Sequence, residues 1–296
     1  MEPLVCIILV NYNGYMDTVE CVSSIERCNY RNFKIIIVDN ASTDGSFDRL
    51  YERYSAADNI ILVAANDNNG FSSGNNIGLI KAWELKSEYI LLLNNDTVVD
   101  KCFLNIVRDQ LEDDCLYSGK IYYYSSPDTI WFAGGDYNKY KGTASHRRIN
   151  EQDIDTCLNY TADIDFICGC YVLGKSSVFK KCGFLPEEYF LYCEDLDYSL
   201  HAKKIGVRLL YTDKSVIYHK VSSSTSRIKE KSQYYIIRNR LYVIRKYNTG
   251  ISKFTALVFS YISILKKIIC ESFSVRIFFK AVLDYKRGSM GKISNE

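Results

Sequence analysis

An α/β fold, with a mainly parallel sheet and helices on both faces, is what this sequence predicts, from three observations. Short runs rich in Ile, Val and Leu alternate with longer polar–apolar stretches over the first hundred residues, the mark of right-handed βαβ crossovers. With 47% hydrophobic residues in 296, the chain buries one large core or two modest ones. Each strand-like run stops at a cluster of Asn, Asp, Ser or Gly, and such sheets bind ligands beyond the carboxyl ends of their strands.

The first predicted strand, 4–10, ends at Asn11, Tyr12 and Asn13 and feeds a helix over 15–28. The second, 33–38, ends at Asp39, Asn40, Ser42, Thr43 and Asp44 before a helix over 46–54. The third, 60–64, leads through Asn66, Asp67, Asn68, Asn69 and Gly70 to a helix near 72–85, and the fourth, 89–93, ends at Asn94, Asn95 and Asp96. Turn and cap chemistry accounts for one such cluster; four in succession along one sheet edge point to a site. Residues 115–160 read as irregular. A strand over 163–173, a helix over 176–182, a helix opened by Glu194 and ended by Gly206, and strands at 207–211 and 216–219 follow. The expected organisation is a catalytic domain over 1–226, with a ligand-binding half to about 115 and a second half over 116–226, then a helical tail over 227–296.

Charge separates these parts. The tail holds 15 Lys and Arg against 4 acids, so the net +2 of the chain leaves −9 for residues 1–226. Apolar residues at Phe254, Leu257, Val258, Tyr261, Leu265, Ile268 and Ile269, with Lys253, Lys266, Lys267, Arg276 and Lys280 at the margins, suit an amphipathic helix that lies on an anionic membrane or packs on the domain or in a homodimer interface. No run approaches the ~18 apolar residues of a membrane span. Interleaved aliphatic residues and the absence of a known motif argue against nucleic acid. The 11 cysteines are odd in number, form no CxxC pair and follow no secretory leader, the expectation being a reduced, cytoplasmic protein.

The strand ends suggest chemistry. Asp96, with Asn94 as a weaker neutral neighbour, suits a hard divalent cation, Mg²⁺ or Mn²⁺, completed by the phosphate oxygens of a nucleoside diphosphate. Asp39, an acceptor when ionised, suits the ring N–H of a pyrimidine base. Glu194, Asp195 and Asp197 complement a helix dipole, yet in YFLYCEDLDY they lie among aromatic neighbours that raise a carboxyl pKa and favour a general base; Asp195 is the candidate. His219 closes a strand and is either structural or a metal or phosphate ligand. Gly70, Ser72 and Gly74 form GxSxG, followed by Asp195 and His219 in hydrolase order, but five residues part the strand from Gly70, whereas a nucleophile elbow follows its strand directly. The glycines and asparagines suit backbone N–H groups approaching phosphate at a helix start.

Taken together, VNYNG (10–14), VDNASTDGS (38–46), NNGFSSGNNIG (68–78), LLLNNDT (91–97), CGCYVLGKSSVFKKCGFLPEEYFLYCEDLD (168–197) and YYIIRNR (234–240) resemble family 2 inverting glycosyltransferases of GT-A fold, nearest the bacterial rhamnosyltransferase-like branch. The resemblance implies a nucleotide-sugar donor, best dTDP-rhamnose, with UDP-galactofuranose, a UDP-hexose or UDP-N-acetylhexosamine as alternatives, and an acceptor hydroxyl on a lipid-linked or envelope saccharide. It implies that Asp39 holds the base, that Asn11, Asn13, Asn69, Gly70, Asn76, Asn95 and Glu194 surround the substrates, that Asp96 and His219 serve the metal, and that Asp195 is the catalytic base. Asn94 departs from the pattern, standing where the first acid of a DxD-like motif is expected. A non-catalytic nucleotide-sugar-binding or scaffold protein is the alternative of another class.

Overall fold

The structure is a computed structural model that describes residues 2–109, 111–154, 160–221, 229–270 and 274–293. The expected boundary at 226/227 lies outside the described residues.

The first half alternates as the sequence predicts: β1 (Val5–Asn11), α1 (Tyr15–Glu26), β2 (Phe33–Asp39), α2 (Ser46–Tyr54), β3 (Ile60–Ala64), α3 (Phe71–Glu84) and β4 (Tyr89–Asn94). β1 pairs in parallel with both β2 and β4, and β2 with β3, giving the order β3-β2-β1-β4. Val5, Ile7, Ile8 and Leu9 of β1 are wholly buried, as a strand covered on both faces requires. α3 lies close on β1 because it presents glycines there: a Cβ on Gly74 would sit 2.7 Å from Val10, and one on Gly78 2.3 Å from Ile8.

The second half extends the same sheet. It contains β5 (Thr97–Val99), β6 (Cys115–Tyr123), β7 (Ser126–Phe132), β8 (Gly135–Asn138), β9 (Thr143–His146), β10 (Thr161–Asp163), β11 (Tyr171–Lys175), α4 (Ser176–Cys182), α5 (Glu194–Lys204) and β12 (Arg208–His219). β11 runs antiparallel between β4 and β6, and β12 joins the far side of β6 in parallel. Three expectations are corrected. The 115–160 region is mostly strand. The predicted strand 163–173 is split into β10 and β11, since regular pairing lapses between them, where Ile167 N–H donates to Ser199 Oγ (3.1 Å) and Gly169 N–H to Asp195. The last two strands are one, β12, with a register shift between Tyr211 and Val216.

The chain ends in α6 (Lys229–Tyr247), α7 (Gly250–Cys270) and α8 (Val275–Arg287). α6 is built into the structure before it. Arg238, only 1% exposed, donates to Tyr189 O (3.1 Å) and Gly291 O (2.9 Å), and Asn239 donates to the carbonyls of Tyr189, Leu191 and Tyr192. Buried Asp197 of α5 accepts from Lys246 Nζ (2.7 Å) and Tyr247 OH (2.6 Å) and from Tyr189 OH. These bonds satisfy buried charges that would otherwise be costly. They also fix the 189–193 loop.

Candidate functional site

The carboxyl ends of β1, β2 and β4 lie side by side, with Asn11 in register with Asp39 and Val10 with Asn94. Asp39 is 3% exposed. Its Oδ2 accepts from Asn11 Nδ2 (2.6 Å) and Ser42 Oγ (2.7 Å), and its Oδ1 from Ser42 N–H (2.8 Å), so the carboxylate is oriented while Oδ1 retains acceptor capacity. Asn13, at φ 53°, ties the two strand-end loops: its N–H donates to Ser42 Oγ (2.9 Å) and its Oδ1 accepts from Thr43 N–H (2.8 Å). Asn95 Nδ2 donates to Thr18 Oγ1 (2.9 Å), which in turn donates to Asn11 Oδ1 (2.9 Å). One polar network therefore runs from Asp39 to the residue preceding Asp96.

From Asp96 the contacts continue. His219 Nε2 lies 3.2 Å from Asp96 Oδ1, where the end of β12 meets β5 in register with Thr97. Burial opposes the charge of Asp96, but His219, with the backbone and Lys220, holds the carboxyl below its ordinary value. The His219 ring also touches Cys170 Sγ (3.7 Å), which accepts from Asn94 Nδ2 (3.3 Å). Beside Cys170, Gly169 N–H donates to Asp195 Oδ2 (3.2 Å) and Leu196 N–H to Asp195 Oδ1 (2.8 Å). Burial raises the Asp195 carboxyl above its ordinary value against these two N–H donors. Burial, and then the charge of Asp195, pushes Glu194 up to about 8.

A cavity of about 570 Å³ opens above this edge, lined by Tyr12, Asn40, Gly70, Phe71, Asn94, Asn95 and Asp96 on one side and by Phe190, Lys231, Tyr235 and Lys292 on another. Gly169 stands between Phe71 of the cavity wall and Asp195, since a Cβ on it would be 3.4 Å from the Phe71 ring and 3.6 Å from Asp195 Cβ; Asp195 and Asp39 themselves are not among the residues that line the cavity. Two buried amide oxygens, Asn40 Oδ1 and Asn94 Oδ1, have no hydrogen-bond partner among the described residues. Buried unpaired acceptors are rare and mark a place for a donor or cation. Among the described residues no group of three or more His, Cys, Asp and Glu could hold a metal, so the oxygens of Asp96 and Asn94 suit a hard cation only as a partial shell.

Other expected residues are placed differently. Gly70 N–H is taken by Asn68 Oδ1 (3.0 Å), and its φ of 96° lets it press on the Phe190 backbone, whose carbonyl oxygen a Cβ would meet at 2.2 Å. Gly70 therefore closes the cavity wall and does not offer its N–H to phosphate. Asn76 is buried, donating to Leu185 O (2.9 Å) and Glu187 Oε1 (2.7 Å) and accepting from Leu185 N–H (2.9 Å); it anchors 185–187 and does not line the cavity. Asn69 is exposed. Ser72 Oγ is buried without a partner among the described residues, while Asp195 and His219 are engaged as described, so no hydrolase triad is assembled among them. His146, which has no motif around it in the sequence, sits edge-on to Trp131 with ring centroids 4.7 Å apart, and His219 packs on the same indole at 4.7 Å. Trp131, His146, Lys231 and Lys292 carry no local sequence signal, whereas Tyr235 falls within the YYIIRNR stretch.

Comparison with known proteins agrees with this architecture. Residues 6–183 match the family model described as "Glycosyl transferase family 2". Glycosyltransferase GlyG of Streptococcus pneumoniae serotype 4 is 28% identical over 62% of this chain and 60% of its own length, so the match spans under two thirds of that relative. The low-salt glycan biosynthesis hexosyltransferase Agl10 of Haloferax volcanii is 24% identical over 79% of this chain and 73% of its own. Among solved structures, S. aureus TarS 1–349 in complex with UDP-GlcNAc superposes with a TM-score of 0.60 at 15% identity, covering 95% of this chain and 80% of that one. The mannosyltransferase PcManGT from Pyrobaculum calidifontis, in complex with GDP-Man and Mn²⁺, does so with 0.57 at 16%, covering 98% and 84%. The structural likenesses establish the fold, GT-A, and the family match establishes the rest: this chain belongs to glycosyl transferase family 2.

Proposed function

We propose that the chain transfers a sugar from a nucleoside diphosphate donor to a hydroxyl of a lipid-linked or envelope saccharide, with inversion. What supports this is the gathering of the β1, β2 and β4 ends: Asn94, Asn95 and Asp96 line one cavity, Asp39 is joined to Asn95 through Asn11 and Thr18, and Asp195 is held by Gly169 next to Cys170, which touches the His219 beside Asp96. In this reading Asp39, oriented by Asn11 and Ser42, accepts from the base, and Asp96 and Asn94 hold a divalent cation, Mg²⁺ or Mn²⁺, together with the donor's phosphates. The cation supplies charge neutralisation of the leaving diphosphate. Asp195 takes the proton of the acceptor hydroxyl as that oxygen attacks the anomeric carbon from the opposite face. The raised carboxyl of Asp195 suits a base. Crystals of related folds with UDP-GlcNAc and with GDP-Man and Mn²⁺ make a nucleotide sugar and a divalent cation the first reagents to supply. dTDP-rhamnose heads the donor panel on the strength of the sequence motifs, followed by UDP-galactofuranose, UDP-hexoses and UDP-N-acetylhexosamine. Incubation of the chain with this panel and lipid-linked saccharides, read by mass spectrometry, is expected to show one donor's sugar added; hydrolysis or transfer from none of them, with Mn²⁺ present, contradicts the proposal.

The acceptor class is supported by the last two helices. Among the described residues no helix is long and apolar enough to cross a membrane. α7 and α8 nevertheless leave Ile251, Phe254 and Ile269 at 70–77% exposure and Ile262, Leu265 and Phe279 at 56–63%. The described residues of the two helices contain Lys253, Lys266, Lys267, Arg276, Lys280, Lys286 and Arg287 but a single acid, Asp284, which accepts from Tyr234 OH (2.7 Å). A second copy of this face would bring like charges together; an anionic bilayer complements it. Flotation of the full chain with phosphatidylglycerol vesicles is expected at low salt, with Ile262→Glu/Leu265→Glu left unbound. Equal flotation of both proteins contradicts the assignment of this face.

A further inference from the structure

Part of the cavity wall comes from outside the segment that defines the family. The family match ends at residue 183, whereas Lys231, Tyr235, Lys292 and Ile293 line the cavity from α6 and from the residues that follow α8. Their placement is built. Gly291 N–H donates to Glu188 O (2.7 Å), Gly291 O accepts from Arg238 Nη1 (2.9 Å), and Ile293 N–H donates to Tyr235 OH (2.8 Å). Lys292 stands between these two anchored residues. Its ammonium lies 3.5 Å from Asn68 O and 5.6 Å from the centroid of the Phe190 ring, and that ring packs on Tyr235 at 5.3 Å. Lys231 lies one turn before Tyr235 on α6, and so on the same helix face.

Among the lining residues the charges are therefore Lys231 and Lys292 against Asp96, with Asn94 in place of a second acid. A cation held by one carboxylate and one amide is weakly held, while a lysine ammonium offers a point charge and three donors suited to phosphate oxygens. We infer that Lys231 and Lys292 form a clamp for the diphosphate of the donor, supplied by the C-terminal segment, and that the clamp binds the diphosphate even without a divalent metal. This rests on the nucleotide-sugar reading above and extends it to residues on which that reading does not depend.

The test is calorimetric titration of the full chain with UDP, GDP and dTDP and with the matching nucleosides, in EDTA at low salt and again with Mn²⁺. The clamp predicts measurable binding of one diphosphate in EDTA, weakened about tenfold by Lys231→Ala or Lys292→Ala, the equivalent of one charge-assisted hydrogen bond. It also predicts unchanged affinity for the nucleoside and recovery of most of the loss in Lys292→Arg. Diphosphate binding in EDTA that is the same in the alanine variants, or absent until Mn²⁺ is added, overturns the clamp and leaves the glycosyltransferase reading standing. An equal loss for nucleoside and diphosphate also overturns it, since the segment would then only shape the cavity. A wild-type chain that binds no nucleotide with or without Mn²⁺ overturns both.

Discussion

Asp195→Asn is expected to lower the rate of sugar transfer by about 10²–10⁴-fold, the usual worth of a positioned general base, while the nucleoside diphosphate binds as tightly as before. The split follows from where Asp195 sits. Its oxygens accept from Gly169 N–H and Leu196 N–H, it lies in the first turn of α5, and the amides and carboxylates assigned to the donor belong to strand ends instead. An asparagine side chain fits the same space but takes no proton. The pH profile adds a second readout. A base acts in its ionised form, and burial raises the carboxyl of Asp195, so the wild-type rate rises with pH through that raised value and the residual rate of the asparagine variant lacks this limb. Stopped assays across pH, with calorimetry at one pH, measure both. Normal turnover in Asp195→Asn would move the base elsewhere.

Asp96→Ala is expected to remove the part of nucleoside diphosphate affinity that Mn²⁺ adds, a loss of at least about 10–100-fold, which is what changes in residues merely supporting a metal ligand already produce. Asp96 is the one acid among the cavity-lining residues, and its carboxyl is held in the ionised form by His219. The amide oxygen of Asn94 is left as a neutral ligand on one side. Affinity in EDTA should change far less, and in the direction set by removing a negative charge from beside a phosphate. Titrations of wild type and Asp96→Ala, each with and without Mn²⁺, separate these effects; an undiminished Mn²⁺ increment in the variant would place the metal away from β4.

The positions of Asp39, Asn94, Asn95 and Asp96 were legible in sequence because a parallel strand announces itself as an unbroken apolar run and its end as the first polar residue. β1, β3 and β4 have that form, and β2 has it after Lys34. β6 has not: it reads CLYSGKIYY, with Ser118, Gly119 and Lys120 in mid-strand, and so was read as irregular. Each polar residue is settled by a partner far along the chain, Ser118 Oγ by Tyr171 O (3.2 Å) and Lys120 Nζ by Asp153 (2.7 Å), while Gly119 lets β12 approach, since a Cβ there would meet Ser215 O at 2.8 Å. The sequence of the tail suits a membrane surface or packing on the domain, and α6 packs: Arg238 donates to Tyr189 O and Gly291 O and Asn239 to the carbonyls of Tyr189, Leu191 and Tyr192, pairings no local pattern contains. Gly70 shows the limit within a motif, because the neighbour that requires glycine there, Phe190, is 120 residues away.

The most direct measurement is a crystal structure of the full chain grown with Mn²⁺ and the nucleoside diphosphate that binds best. It should show the anomalous signal of manganese beside Asp96 and Asn94, the base within hydrogen-bond distance of Asp39, and the Asp195 carboxylate open to the same cavity where the sugar would lie. A nucleotide bound on another face, or an Asp195 walled off from the one in the cavity, would contradict it.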